Sequence, residues 1–143
     1  QWGCDVSTQR HVPVHQYDCF DLRQPSCPGG DTVFHPECVA EVRKTEDGHP
    51  FDTVADQFAR NGDGSKQIVM KIDVEGAEWQ SLLAAPDQVL QQIDQMAVEF
   101  HWVEGDTSLA LVRRLRQFFE VAHLLLERFA SSMRRSVRLP QPP

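Results

Sequence analysis

The sequence predicts an α/β domain built on a mainly parallel sheet. Of its 143 residues, 41% are apolar, which is enough for a packed core. From Phe51 onward, segments whose apolar residues have the spacing of a strand alternate with segments whose apolar residues have the spacing of a helix, as in βαβ units. Residues 67–75 are apolar on nearly both sides, which is typical of a central parallel strand. These three observations together indicate the fold class.

The first third of the chain predicts two strands joined by a loop. In residues 12–20 the side chains alternate between two faces, which predicts a short strand that ends near Asp18. The loop that follows contains prolines and glycines. Residues 32–42 predict a second strand, and Pro36 within it indicates an edge or bulged strand. Residues 44–50 predict a turn.

A helix is predicted to begin at Phe51 and to end at the glycines after residue 60. Its apolar face has helical spacing and consists of Phe51, Val54, Ala55 and Phe58. Strand 67–75 follows and is broken by Gly76. The next helical face contains Trp79, Leu82 and Leu83, and Pro86 interrupts it.

The C-terminal elements continue the alternation. Residues 95–102 predict a second buried strand, parallel and adjacent to residues 68–74. Residues 105–119 predict an amphipathic helix. Its inward residues would be Leu111, Leu115 and Phe118, and its outward residues Arg113, Arg114 and Arg116. Residues 120–129 predict a last strand.

Charge and length indicate one domain with a basic tail. We expect residues 1–127 to form a single domain, and residues 128–143, which end in prolines, to be disordered. Residues 1–127 carry ten basic and 21 acidic side chains, a balance of −11. Phosphate binding needs clustered Lys and Arg, so this balance argues against nucleic acid as a partner. No apolar run approaches the roughly 20 residues of a membrane span, so we expect no membrane contact.

The four cysteines have spacings that do not match a structural zinc site. No pair has the Cys-x-x-Cys spacing that such sites use. Their even number permits disulfides, but a chain with this apolar content does not require them. We therefore expect reduced, partly buried thiols at Cys4, Cys19, Cys27 and Cys38.

Polar side chains stand where the predicted strands end. Ligands of parallel α/β sheets bind beyond the carboxyl ends of the strands, so this edge is the predicted site. The residues mapped to it are Asp18, Asp73, Glu75, Glu99 and His101. Asp73 and Glu75 would point the same way, and Lys71, a ligand or a metal would have to offset their repulsion. Glu78 on its own we interpret as a first-turn acid that interacts with the helix dipole.

The segment 51–101 resembles the C-terminal half of FkbM-like S-adenosylmethionine-dependent methyltransferases. The similarity is weaker over residues 12–42, and in all it covers about residues 12–125. The family pattern is an aspartate-bearing helix, K-x-D-x-E-G-x-E on a strand, a helix with paired leucines, and a strand ending in E-x-H. The matching residues are Asp52, Lys71, Asp73, Glu75, Gly76, Glu78, Leu82, Leu83, Glu99 and His101.

The resemblance implies a Rossmann-like fold, a mainly parallel sheet with helices on both faces. It also implies S-adenosylmethionine as cofactor and a small-molecule or sugar hydroxyl as methyl acceptor. Asp18 matches the acid that binds the cofactor ribose, and Asp73 the residue close to both methyl donor and acceptor. Glu75, Glu78 and His101 would line the acceptor side, and the catalytic residues predicted here are Asp73, Glu75 and His101. No Gly-rich turn precedes Asp18, so we expect the first strand–helix unit of the family to be missing.

Two alternatives stay open. A chain without that turn could be a non-catalytic remnant that serves as a binding or interaction module. The second alternative is a metal-dependent hydrolase with Asp73, Glu75 and His101 as ligands. It is the weaker of the two, because no second His or Asp lies at a helical i, i+4 spacing, and we assign no metal-ligating residue from the sequence.

Overall fold

The computed structural model describes residues 2–103 and 105–123. This part of the chain contains both helices and strands, which confirms a mixed α/β class, although five strands follow one another between α1 and α2. In chain order the elements are α1 (Trp2–Arg10), β1 (Val14–Tyr17), β2 (Thr32–His35), β3 (Cys38–Val39), β4 (Lys44–Glu46), β5 (His49–Asp52), α2 (Val54–Arg60), β6 (Ile68–Ile72), α3 (Glu78–Ala84), α4 (Asp87–Gln91), β7 (Ile93–Val98) and α5 (Gly105–Leu115).

The described strands form three small sheets instead of one continuous parallel sheet. Strands β1 and β2 are parallel, and so are β6 and β7. The third sheet has the order β3-β5-β4 and is mixed, since β5 is parallel to β3 and antiparallel to β4. The strands contain two to six residues each, at or below the usual length of about five to six residues, so each sheet is small.

The pairing of β6 with β7 positions the candidate site. The two strands are adjacent and parallel, as the sequence predicts, and their register runs from Ile68 opposite Ile93 to Ile72 opposite Val98, with a bulge after Ile68. The backbone N–H of Glu99 donates to the carbonyl of Ile72 at 3.0 Å, which extends the pairing past β7. The residues that follow both strands therefore emerge at the same edge.

One apolar core lies between these strands and the helices. Its buried residues are Val39, Val54, Ile72, Trp79, Leu82, Ala85, Val89, Leu90, Ile93 and Leu111. Helix α5 contributes Leu111, which is fully buried, and packs against α3. Leu115 and Phe118 pack against the same core, as predicted. No described helix has both the length and the hydropathy needed to cross a bilayer.

Arg114 differs from the outward position predicted for it. Its guanidinium donates to the carbonyls of Leu83 (3.1 Å) and Ala85 (2.6 Å) and to the Asp87 carboxylate (2.7 Å). These carbonyls lie at the end of α3, where backbone acceptors lack helical partners. Arg114 therefore joins α5 to the end of α3, because a long cationic side chain satisfies acceptors that the helix cannot.

Residues 44–52 form a hairpin where the sequence predicts a turn and the start of a helix. Strands β4 and β5 meet at Asp47 and Gly48, which both have positive φ (49° and 80°), the conformation of a tight hairpin turn. Phe51 is therefore in a strand, and α2 starts only at Val54. Thr53 caps α2, because its Oγ1 accepts from the N–H of Asp56 at 3.1 Å.

The predicted strand 32–42 is divided at Pro36, as its proline indicates. Strand β2 precedes the proline and β3 follows Glu37. Helix α1 occupies residues for which no element is predicted. Of the predicted strand 120–129, residues 120–123 have no strand structure, and residues 124–129 lie outside the described part. The tail 128–143, expected to be disordered, also lies outside it.

The expectation of reduced thiols is wrong. Cys4 is bonded to Cys27, and Cys19 is bonded to Cys38. Both bridges lie in the part of the chain that contributes least to the apolar core, since the buried core residues begin at Val39. A segment with little apolar surface to bury depends on covalent links for stability. The apolar fraction of the whole chain does not show this uneven distribution.

Asp52 anchors a buried ion-pair network between the hairpin and α2. The residue is 3% exposed. Arg43 donates to both of its carboxylate oxygens, at 3.2 and 3.0 Å, and Arg60 and the N–H of Thr53 also donate to it. Burial alone would raise the pKa of Asp52, but the hydrogen bonds from Arg43 and Arg60 outweigh it and hold this pKa well below its usual range.

We expect this network to make the fold sensitive to acid. A carboxylate whose pKa is depressed in the folded state stabilises it above the pKa of the unfolded chain, about 3.9, and the stabilisation is lost as pH falls. Asp52→Asn should therefore lower the free energy of unfolding by about 2 kcal/mol at pH 7 and by less at pH 2. Urea unfolding between pH 2 and pH 7 measures both values. Asp21→Asn, at an exposed pair with Arg23, is the control, and an equal loss at both pH values for Asp52→Asn would contradict the prediction.

Candidate functional site

The carboxyl ends of β6 and β7 bring the predicted rim residues together. Asp73 follows β6 directly, and Glu99 and His101 follow β7. The Nε2 atom of His101 lies 3.9 Å from Asp73 Oδ1 and 3.9 Å from Glu99 Oε1. We call this group, with Glu75 and Glu78 described below, the His101 cluster. Parallel pairing explains the convergence, since it places both chain exits at one edge.

A left-handed turn brings Glu75 to the same place. Glu75 has φ of 51° and Gly76 has φ of 100°, so the chain turns sharply between the end of β6 and the start of α3. This turn, not the alternation of a strand, brings the Glu75 carboxylate to 3.7 Å from His101 Nε2. A left-handed conformation is strained for a residue other than glycine, and such strain occurs preferentially at functional sites.

Gly76 also allows a close approach of Trp102. A Cβ at this position would lie 2.5 Å from two ring carbons of Trp102, in addition to the strain of its positive φ. The Trp102 ring in turn lies beside His101, with 5.8 Å between the ring centroids. Glycine at position 76 is thus required by the turn and by the packing next to it.

Glu78 is the buried member of the cluster and holds His101 in place. Its side chain is fully buried. Oε1 accepts from the backbone N–H of His101 at 2.8 Å and lies 2.7 Å from His101 Nδ1, and Oε2 accepts from the N–H of Gly76 at 2.7 Å. A carboxylate can only accept these bonds, so Nδ1 carries a proton and donates it. The sequence interpretation of Glu78 as a helix-dipole residue is incomplete, because its main contacts are with His101.

The electrostatics of His101 follow from this arrangement. The hydrogen bond to Glu78 raises the pKa of the imidazole; burial acts in the opposite direction, and the nearby charges of Glu78, Glu75 and Asp73 raise it further. Its Nε2 makes no hydrogen bond to any residue in the described ranges, and faces the three carboxylates of Asp73, Glu75 and Glu99. The ring is thus oriented by Glu78 through Nδ1 and turns Nε2 toward the other carboxylates of the cluster.

Lys71, one of the candidates that the sequence leaves open, offsets part of the negative charge. Its Nζ lies 2.9 Å from Asp73 Oδ2. The other oxygen of Asp73, Oδ1, is the one that faces His101. One oxygen of Asp73 thus remains for a ligand at the cluster.

Asp18 lies at the end of a different sheet and has a local role. It follows β1, and its Oδ1 accepts from the N–H groups of Phe20 (2.8 Å) and Asp21 (2.9 Å). No contact within the described residues joins Asp18 to the His101 cluster. It lines a cavity of about 200 Å³ together with Gln16, Tyr17, Asp21, Arg23, Pro25 and Phe34.

A second cavity lies next to the His101 cluster in the sequence. It has a volume of about 280 Å³ and a mainly apolar lining of Val103, Gly105, Ser108, Leu109 and Val112. Trp102 and Val103 are also largely exposed. The chain therefore changes from charged to exposed apolar residues directly after His101.

The sequence predicts Asp73, Glu75 and His101 as catalytic residues, maps Glu99 to the same edge and, through the family resemblance, places Glu78 on the acceptor side. The burial of Glu78 and its bonds to His101 are not visible in the sequence, where Glu78 on its own matches a first-turn acid. Glu99 has no predicted role beyond its position at the edge, although its place two residues before His101 at the end of a strand is the same signal that identifies Asp73 and Glu75. Comparison of the chain with models of protein families, with curated proteins and with solved structures finds no match.

Proposed function

We propose that this chain is an S-adenosylmethionine-dependent methyltransferase domain that acts on a hydroxyl group of a small molecule or sugar. One observation carries the proposal: the imidazole of His101 is held by the buried Glu78 and turns its Nε2 toward Asp73 and Glu75 at the carboxyl end of β6 and β7. Methyl transfer to oxygen requires a positioned group that removes the hydroxyl proton, and this edge offers an imidazole and carboxylates for it.

The Rossmann-like arrangement belongs to the same proposal. The unit β6–α3–α4–β7 joins two parallel strands through helices, and parallel β1 and β2 are the other parallel pair. In a doubly wound sheet the cofactor lies across the carboxyl ends of strands. Asp18 and the His101 cluster each follow the carboxyl end of a parallel pair, although the two pairs belong to separate sheets. The resemblance of residues 51–101 to FkbM-like enzymes supports the assignment.

The residues around Asp18 fit one part of the cofactor. The cavity of about 200 Å³ is smaller than the roughly 300–1,000 Å³ of sites that enclose a whole ligand, so it matches a ribose and not the entire molecule. Asp18 Oδ1 accepts two backbone N–H groups, and we assign the ribose hydroxyls to Oδ2. S-adenosylmethionine would supply a methyl group on a sulfonium sulfur, and Asp73 would lie on the side of the methyl acceptor.

Calorimetric titration with S-adenosylmethionine tests the cofactor assignment. Asp18→Asn should weaken binding by roughly ten- to a hundredfold, because a hydrogen bond to a charged group contributes about 1.5–3 kcal/mol. His101→Gln should leave the affinity for S-adenosylmethionine close to that of the wild type, since His101 belongs to the acceptor side.

Asp47→Asn is the matched control. Asp47 is in the turn between β4 and β5, and asparagine tolerates its positive φ. We expect this variant to bind S-adenosylmethionine as the wild type does. Absence of saturable binding by the wild type, or equal affinities for wild type and Asp18→Asn, would contradict the proposal and would favour the binding module without catalytic activity.

A further inference from the structure

The His101 cluster carries more negative charge than the neighbouring cations neutralise. Four carboxylates surround one imidazole, those of Asp73, Glu75, Glu78 and Glu99. Among the ion pairs of the described residues, Lys71 is the one cation besides His101 that contacts them, and it lies on the outer oxygen of Asp73. Several carboxylates that converge on one point repel one another unless a cation lies between them.

The donor atoms have the spacing of a metal site. One ligand atom each from Asp73, Glu99 and His101 lies within 4.8 Å of the other two. Two ligands that are each about 2.1 Å from one ion lie roughly 3.0–3.5 Å apart in tetrahedral or octahedral geometry. The carboxylates of Asp73 and Glu99 are exposed enough to rotate, so an ion needs only a small inward movement of these two side chains.

The hydrogen bond between Glu78 and His101 orients the imidazole in the way that is common for a metal ligand. Metal-binding histidines commonly donate their second ring N–H to a carboxylate, which fixes the tautomer and leaves the other nitrogen as the ligand. Glu78 is fully buried and accepts from Nδ1 at 2.7 Å. Nε2 is left without a hydrogen bond inside the described ranges, on a side chain that is only 19% exposed.

We propose that Asp73, Glu99 and His101 form a binding site for a divalent transition-metal ion, oriented by Glu78. One imidazole nitrogen with two carboxylates favours Mn²⁺ or Zn²⁺ over Mg²⁺ and Ca²⁺, which prefer ligand sets made of oxygen alone. Three protein ligands leave coordination positions open for water or a substrate oxygen, and Glu75 lies beside them without being needed as a ligand. An ion there would polarise a bound hydroxyl. With the ion bound, Nε2 of His101 would be a ligand, and the neighbouring Glu75 carboxylate would take the hydroxyl proton in place of the imidazole.

The binding of a metal ion does not depend on the proposed methyl transfer, and it is measured without S-adenosylmethionine. Titration of the chain with Mn²⁺, followed by the electron paramagnetic resonance signal of the free ion, should give one saturable site per chain. Asp73→Asn, Glu99→Gln and His101→Gln should each weaken this binding by about tenfold or more. Circular dichroism checks that each variant is folded, and Glu99, which is exposed, provides a variant that does not disturb the core.

Two further variants separate a site from general attraction of cations. Glu41→Gln removes an exposed carboxylate outside the cluster and should leave the Mn²⁺ affinity unchanged. Lys71→Gln removes the cation that competes for Asp73 and should strengthen binding by about two- to fivefold. Lack of saturable binding at millimolar Mn²⁺, or equal weakening by Glu41→Gln and Glu99→Gln, would overturn the proposal and leave protonated His101 as the cation of the cluster.

Discussion

Glu78→Ala should destabilise the fold by about 3–5 kcal/mol. The substitution removes three hydrogen bonds from a fully buried carboxylate. It leaves the N–H groups of Gly76 and His101 without their acceptors, and each unsatisfied buried donor costs about 1–3 kcal/mol. A cavity at the start of α3 adds to the loss. Urea unfolding at neutral pH, with the wild type in the same buffer, measures the difference.

Glu78→Gln distinguishes the contribution of Glu78 to stability from its contribution to metal binding. Glutamine retains one carbonyl oxygen and nearly the same volume, so we expect this variant to keep more stability than Glu78→Ala. It no longer provides a carboxylate for Nδ1 of His101, and the affinity for Mn²⁺ should fall by about ten- to a hundredfold. Glu41→Ala, at an exposed position, should change the free energy of unfolding by less than about 0.5 kcal/mol. If Glu78→Ala were as stable as Glu41→Ala, the structural role assigned to Glu78 would be wrong.

Removal of the bridge between Cys19 and Cys38 is the second large effect. The two cysteines are 19 positions apart, and a bridge that closes a loop of this size stabilises a protein by about 3 kcal/mol in the chain-entropy description. Cys19 is fully buried. The double variant Cys19→Ala/Cys38→Ala should therefore lose about 2–4 kcal/mol of stability, and its midpoint of urea unfolding should fall accordingly.

The other bridge serves as the comparison. Cys4 and Cys27 are 23 positions apart and partly exposed, so the entropic contribution is similar but no buried atoms are lost. Cys4→Ala/Cys27→Ala should be less destabilised than the other double variant. A reducing agent should have no effect on a variant that lacks all four cysteines. Equal unfolding midpoints for oxidised and reduced wild type would show that the bridges do not contribute to stability.

The sequence predicts the part of the fold in which local and global signals agree. Strands 68–72 and 93–98 are rich in apolar and β-branched residues, and the helical segments between them require a crossover, so their parallel pairing follows from known rules. The sequence predicts the turn at residues 44–50 but not the hairpin around it, although Asp47-Gly48 is a strong hairpin signal. The reason is that Phe51 also fits the helical spacing of the residues that follow, whereas in the structure it belongs to β5.

The disulfides and helix α1 could not be predicted for physical reasons. Cysteine pairing depends on distances in the folded chain, and four cysteines in a sequence allow three pairings. Helix α1 has no clear apolar face, so hydrophobic periodicity could not reveal it, and its link to the loop at Cys27 is covalent. The rule that ligands bind beyond the carboxyl ends of parallel strands predicts the region of the site. The burial of Glu78 results from the left-handed turn at Glu75 and Gly76, and the spacing of apolar residues does not predict such a turn.

Two of the three tryptophans of the chain lie next to His101. The indole N–H of Trp79 donates to the carbonyl of His101 at 2.6 Å, and the ring of Trp102 lies over Gly76. Trp79 is 7% exposed and Trp102 is 68% exposed, so a soluble quencher reaches the second indole and not the first. In a Trp2→Phe variant, which removes the third tryptophan (43% exposed), intrinsic fluorescence therefore has one shielded and one accessible emitter at the same place. Protection of Trp102 from the quencher reports a molecule bound at the rim without any added label.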